Sequence, residues 1–240
     1  MIRLAVLGAS GRMGQAVLRL ANELDFEVVG QVSAGEDLSV IARSKAEVVI
    51  DFSSPDATRA LIKIAADAGA AIVSGTTGLD ELTLRELEVA SAKVPIFWAP
   101  NMSVGVHVLG VLVARAIEML GPEFDIEITE AHHRRKVDAP SGTALRLAEV
   151  AQAARSGATK LEHGRSGRPG ARAPSEIGMH AIRGGDVIGD HHVHLLGEGE
   201  RLELVHRASS RDLFARGALR AARFVVGKAP GRYAMSDLFN

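Results

Sequence analysis

Cysteine is absent from the 240 residues, which excludes disulfides, thiolate catalysis and cysteine-ligated zinc or iron–sulfur sites. Net charge is nearly absent as well. Lys and Arg number 28 against 29 Asp and Glu, a formal −1, so no global field draws the chain to nucleic acid or to an anionic membrane. Any anion it binds must be caught by a local cluster. No apolar run approaches the ~18 residues that a membrane span requires. The opening residues 1–8 lack the apolar region and small-residue cleavage site of a signal peptide. No internal repeat stands out. These absences predict a soluble, cytoplasmic protein with no membrane and no nucleic-acid partner. What is present, 47% hydrophobic and 24% charged residues, suits a globular chain with ample core. The length falls between one large domain and two modest ones.

The first third alternates strand and helix. Short apolar strands are predicted over 2–7, 27–33, 47–52, 70–74 and 95–99. Helices with apolar residues at 3.6 spacing are predicted over 13–24, 55–68 and 79–92. Such a rhythm argues for a parallel, doubly wound α/β sheet. After about Asn101 it changes. A long apolar helix, 104–120, leads into 124–131, where Ile126 and Ile128 alternate with Glu127 and Thr129 as in a strand with one covered face. A helix over 141–154, a glycine- and arginine-rich loop over 157–174, and strands over 185–196 and 201–207 follow. The two last strands flank a hairpin turn at Gly197–Glu200. The final helix, 212–227, is amphipathic. The fold class expected is therefore an α/β, Rossmann-like parallel-sheet domain (1–103 and 212–240) with an α+β mixed-sheet domain (104–211) inserted before its last helix.

Gly8-Ala9-Ser10-Gly11-Arg12-Met13-Gly14 lies directly between the first strand and the first helix. Its glycines let the backbone turn tightly and approach a pyrophosphate, while the helix N-terminus presents unpaired amides. The spacing is GxxGxxG and not the GxGxxG fingerprint, so position rather than pattern carries the reading. Where an acid would meet an NAD ribose, at the tip of the second strand, the chain has Ser33-Ala34-Gly35, with Glu36 and Asp37 just beyond. No arginine for a 2′-phosphate is evident, which leaves NADH and NADPH both open. Gly75-Thr76-Thr77-Gly78 follows the fourth strand at the carboxyl edge of the sheet. It reads equally as a nicotinamide-facing loop and as a plain turn into the next helix.

The stretch from Glu130 to Thr143 is the most informative. His132, His133, Arg134, Arg135 and Lys136 form a cationic run that alone reads as a solvated face. Pro140 and Ser141, a predicted N-cap, then open a helix whose first turn holds Gly142 and Thr143. Free amides, a hydroxyl and the helix dipole make a carboxylate site there. A cationic strand end feeding it suits a small dicarboxylate. Histidine supplies a proton near neutrality, and a lysine can neutralise charge that develops after hydride transfer. Asp190-His191-His192-Val193-His194 invites a metal reading, since His192 and His194 would share a strand face. No acid-and-histidine set completes a zinc site, so no metal is assigned and these read as surface or interface histidines.

At these residues the chain resembles the 4-hydroxy-tetrahydrodipicolinate reductase family over nearly its whole length. The matching segments are 8–14, Val49–Ser53, 75–78, Asn101–Gly105, 130–143, Arg183–Gly189 and His206–Arg211. The resemblance implies an NADH- or NADPH-dependent oxidoreductase of diaminopimelate and lysine biosynthesis that forms tetrahydrodipicolinate by hydride transfer with loss of water. It implies that Gly8, Ala9, Ser10, Gly11, Arg12 and Met13 hold the pyrophosphate. Gly75, Thr76 and Thr77, with Ala99, Pro100, Asn101 and Met102, would line the track from adenosine to nicotinamide, and Ser33 is counted with them. His132 would be the catalytic acid/base and Lys136 the proton donor. His133, Ser141, Gly142 and Thr143 would bind substrate. Members are homotetramers assembled through the substrate-domain sheets. The chain departs from the family at Ser33 and Ala34, where an acid is common, and at Arg135, where some members have His. A related two-domain dehydrogenase, or a nicotinamide sensor without activity, remains as an alternative. Semialdehyde dehydrogenase chemistry needs a cysteine and is excluded.

Overall fold

The computed structural model describes residues 1–239. Its contacts divide the chain into two compact units, one made of Met1–Val104 with the chain from Arg211 onward, the other Gly105–Ser210. Among the described residues no helix is long and apolar enough to cross a membrane.

The first unit is built on β1 (Ile2–Leu7), β2 (Phe26–Val32), β3 (Val48–Asp51), β4 (Ala71–Ser74), β5 (Pro95–Trp98) and β11 (Gly231–Tyr233), in the order β11-β5-β4-β3-β1-β2. Every pair is parallel. Both faces are covered, which is why these strands are apolar at consecutive positions. Leu4, Val6, Val48, Ile50, Val73 and Phe97 pack with helices α1 (Arg12–Ala21) and α7 (Asp212–Val225). Ala5, Leu7, Val49, Ile72 and Ile96 face α2 (Ser39–Ser44), α3 (Pro55–Asp67) and α4 (Glu81–Ala90). Pro55 sits in the first turn of α3 with Ser54 as N-cap, its hydroxyl accepting from Ala57 N at 3.3 Å. Asp80 does the same for α4 through Thr83 N at 2.7 Å. The short α2 and β11 were not foreseen; each is too brief for periodicity to register.

The second unit carries a mixed sheet, order β10-β9-β6-β8-β7. Its strands are β6 (Asp125–His132), β7 (Lys160–His163), β8 (Glu176–Arg183), β9 (Asp190–Leu196) and β10 (Arg201–Arg207). Helices α5 (Val104–Leu120) and α6 (Gly142–Ala154) cover one face. Leu109, Val113 and Ile117 of α5, one side of that helix, meet Ile126, Ile128, Ile177, Val193 and Leu195. The hairpin turn between β9 and β10 closes through Gly197 N to Glu200 O at 2.9 Å. Two expectations need correction. The loop predicted over 157–174 contains β7, and the strand predicted from Gly185 begins only at Asp190, with a separate strand, β8, ahead of it.

Candidate functional site

In the first unit the chemistry gathers at the carboxyl ends of β1 to β5. Gly8 leaves β1 at φ +82°, and a Cβ there would lie 2.4 Å from Phe52 O. A Cβ on Gly14 would lie 2.1 Å from Gly8 O, so α1 can approach the loop only without a side chain at that point. Gly11 is the N-cap of α1 and has no side chain to cap it. The first-turn amides therefore stay open to an anion beside exposed Ser10 and Arg12. These glycines make a cradle that suits a dinucleotide pyrophosphate.

Two hollows flank that cradle. One, of about 570 Å³, is lined by Gly8, Ser10, Gly11, Ser33, Phe52 and neighbouring residues. The other, of about 300 Å³, is lined by Arg12, Met13, Phe52, Gly75, Pro100, Asn101, Met102, Arg211 and Phe214. Phe52 is the wall they share. Its ring lies so close to Gly75 that a Cβ there would come within 2.2 Å of Phe52 Cε1. Of the predicted cofactor residues, Ala9, Thr76, Thr77 and Ala99 line neither hollow. Thr76 is 4% exposed, and its carbonyl accepts from Trp98 Nε1 at 3.1 Å.

Behind the loops lies a residue that sequence reasoning missed. Asp51, fully buried, accepts five hydrogen bonds. Oδ1 takes Ser53 N (3.0 Å) and Ser53 Oγ (2.5 Å), while Oδ2 takes Thr58 Oγ1 (2.6 Å), Ser74 Oγ (2.8 Å) and Thr76 Oγ1 (3.1 Å). One side chain thereby ties the ends of β3 and β4 to α3. Its signal was the set of hydroxyl residues at 53, 58, 74 and 76, each too ordinary to read alone.

In the second unit the site stands at the end of β6. The period-2 pleat that turns Ile126 and Ile128 inward turns Glu130 and His132 the same way. Glu130 is 1% exposed and His132 9%. His132 Nδ1 lies 2.6 Å from Glu130 Oε2. Arg183, at the end of the neighbouring parallel strand β8, clamps the same carboxylate with Nη1 to Oε2 at 2.8 Å and Nη2 to Oε1 at 2.7 Å. Ser141 N donates to Glu130 Oε1 at 3.1 Å. Burial opposes the charge on Glu130, yet bonds from Arg183, His132 and Ser141 outweigh it and hold the carboxyl below its ordinary range. Neither Glu130 nor Arg183 had been given a role.

Ser141 caps α6 as expected, accepting from Ala144 N at 3.2 Å, and its hydroxyl meets His191 Nε2 at 3.3 Å. His191 is 4% exposed, which corrects the expectation of a surface or interface histidine. Burial, helped by the charge of His132, pushes its pKa down to about 4. His192 and His194 do share the other face of β9, rings 6.0 Å apart. Gly142 is exposed, and a Cβ on it would meet nothing within 4 Å, so the helix entrance is open; Thr143 follows it, half-buried. Lys136 Nζ lies 2.8 Å from Asp138 Oδ1, and that contact holds Asp138 below the usual carboxylate range. His133 is half-buried, and Arg134 and Arg135 are exposed. Among the described residues no group of three His, Asp or Glu side chains is placed to hold a metal. The arrangement can bind an anion at the start of α6 and exchange a proton at His132 Nε2, the ring nitrogen turned away from Glu130.

Comparison with known proteins identifies the family. The family model "Dihydrodipicolinate reductase, N-terminus" matches residues 2–102, and "Dihydrodipicolinate reductase, C-terminus" matches 105–239. A 4-hydroxy-tetrahydrodipicolinate reductase of Myxococcus xanthus is 47% identical, covering 99% of this chain and 97% of that protein. One from Akkermansia muciniphila is 46% identical over 99% and 98%. Among solved structures, a dipicolinate-bound dihydrodipicolinate reductase from Paenisporosarcina sp. TG-14 superposes with a TM-score of 0.81. It covers 98% of this chain and 97% of its own at 24% identity, a likeness of fold. With both family models and full-length relatives in agreement, the chain belongs to the dihydrodipicolinate reductase family.

Proposed function

We propose that the protein reduces 4-hydroxy-tetrahydrodipicolinate to tetrahydrodipicolinate with loss of water, in diaminopimelate and lysine biosynthesis. The observation that carries this reading is His132, buried and held by Glu130, itself clamped by Arg183, beside the open start of α6. A bound NADH or NADPH supplies the hydride. The chain's own residues do the rest. Gly8–Met13 cradle the pyrophosphate, and Gly75, Pro100, Asn101 and Met102 wall the hollow next to it. Gly142 and Thr143 take a substrate carboxylate at the helix terminus, with His133 and Ser141 alongside. His132 exchanges a proton at Nε2, and Lys136 gives up Asp138 to protonate the reduced substrate.

We further infer a cytoplasmic homotetramer assembled through the second sheet. In support, the face of that sheet turned away from α5 and α6 leaves Ile182 55% exposed and Val205 39% exposed. A mass measurement in solution reads the assembly directly.

The activity is tested in a coupled assay in which a dihydrodipicolinate synthase makes the unstable substrate in place. Substrate-dependent oxidation of NADH or NADPH is the expected result. Lys136→Ala should lower turnover by ~10²–10⁴-fold, the worth of a general acid, with cofactor affinity kept, because Lys136 lies outside the glycine cradle. No oxidation of either cofactor by protein that binds one would turn the reading towards a sensor.

A further inference from the structure

The tip of β2 lacks an acid in sequence, but the fold returns one to it. Beyond Val32 the chain turns through Ser33, Ala34 and Gly35, with Gly35 at φ +82°. Glu36 N donates to Ser33 O at 3.1 Å, and Glu36 Oε2 accepts from Ser33 N at 2.6 Å. This reciprocal pair folds the Glu36 carboxylate back onto the strand end. Its other oxygen, Oε1, takes no hydrogen bond among the described residues.

The surroundings give that placement a consequence. Glu36 lines the same 570 Å³ hollow as Gly8, Ser10 and Gly11 of the phosphate cradle. Two residues of that lining are charged, Glu36 and Asp56, and both are acids; it contains no Lys or Arg. Arg43, the basic residue of α2, is paired with Asp37 at 3.3 Å. A carboxylate at the end of the second strand accepts hydrogen bonds from both hydroxyls of an unsubstituted adenosine ribose. A 2′-phosphate there would meet two carboxylates and no cation, and like charges brought together without a counterion are disfavoured.

We propose that Glu36 is the specificity-determining residue for the adenosine ribose and that it makes this protein favour NADH over NADPH. The inference rests on the dinucleotide reading above and deepens it. The acid comes from the turn rather than from the strand tip, which is why neither Ser33 nor Ala34 announces it.

Fluorescence titration of the purified protein with NADH and with NADPH, without substrate, tests this separately from turnover. Wild-type protein should bind NADH at least about tenfold more tightly, the usual worth of a hydrogen bond to a charged group. Glu36→Gln keeps an oxygen for Ser33 N and removes the charge. It should weaken NADH by about tenfold and bring the two cofactors to within about threefold of each other. A thermal melt of the variant confirms that it folds, and the wild-type ratio stands without it. Equal or tighter NADPH binding by the wild type, or an unchanged ratio in a folded Glu36→Gln protein, would overturn the assignment and leave the reductase intact. Binding of neither cofactor would overturn the dinucleotide reading and this assignment with it.

Discussion

Glu130 receives its hydrogen bonds from three separate stretches of chain: His132 on its own strand, Ser141 at the helix start, and Arg183 on the adjacent strand. At 1% exposure its charge is tolerated because Arg183 opposes it, with His132 and Ser141 adding their hydrogen bonds. Substituting Glu130→Gln leaves the half-buried Arg183 guanidinium without its counter-charge, at a cost below the ~3–5 kcal/mol of a fully buried pair. It also leaves one neutral amide oxygen where two charged oxygens served His132, Ser141 and Arg183, which weakens the contact that fixes the His132 nitrogen facing the substrate. Expected are a lower melting temperature and a roughly tenfold to hundredfold fall in kcat/KM, less than the ~10²–10⁴-fold worth of the acid itself. A shifted acid limb of the pH–rate profile should accompany the fall, because the carboxylate acts through His132. An unchanged profile in a folded variant would assign Glu130 to structure alone. His132 and Lys136 were legible in sequence because their residue types announce proton chemistry. The clamp on Glu130 was not, since Arg183 arrives from 53 positions along the chain through a strand register that no local pattern encodes.

At the scale of elements, the turn from β1 into α1 is set by what its glycines leave out. Gly14 is legible as a motif residue, but its reason is contact: the helix axis passes where a Cβ would strike Gly8 O at 2.1 Å. Gly14→Ala should push the start of α1 away from the loop. Overpacking of this kind costs about 1–3 kcal/mol. A matching loss of thermal stability together with weakened dinucleotide binding is expected by melting and cofactor titration. Retained affinity at normal stability would show that the cradle does not need this approach. Elements the sequence concealed have equally local reasons. In β8, Gly178 interrupts the alternation and reads as a breaker. Its missing side chain makes room for Glu127 across the pair, whose Oε2 would lie 1.8 Å from a Cβ there. Strand β7 is four residues at the sheet edge with Lys160, Glu162 and His163, a polar composition that guards edges against stray pairing and hides them from a hydrophobic scan.

Across the molecule, several groups of the second unit couple pH to stability by their titration, His191 and Glu127 with large shifts among them. Burial lowers His191 from an ordinary 6.5 to about 4, so folding favours its neutral form. Its contribution is full above pH 6.5 and is lost as the pH falls towards 4. Burial by itself would raise Glu127, but bonds from Arg165, His180 and Arg172 bring it down to about 2. Its contribution, present above about 4.5, is lost between there and pH 2. Acid destabilisation should therefore proceed in two successive ranges. Denaturant midpoints measured from pH 7 to 3 should flatten between 6.5 and 4 in His191→Gln while keeping the slope below 4; an unaltered upper slope would remove His191 from the account. The alternation that makes the first unit's sheet was readable because both its faces are apolar. The end of the chain was less so, because β11 is three residues long and is recognisable only beside β5. That return of the chain sets an order in time. The glycine cradle is made before the second unit, but the core face beneath it needs Ala215, Ala218, Leu219, Ala222 and Val225 of α7, made after the whole second unit. During synthesis the inserted unit can finish folding first, while the nucleotide-binding sheet waits, one face covered by α1 alone, for α7 to close over it.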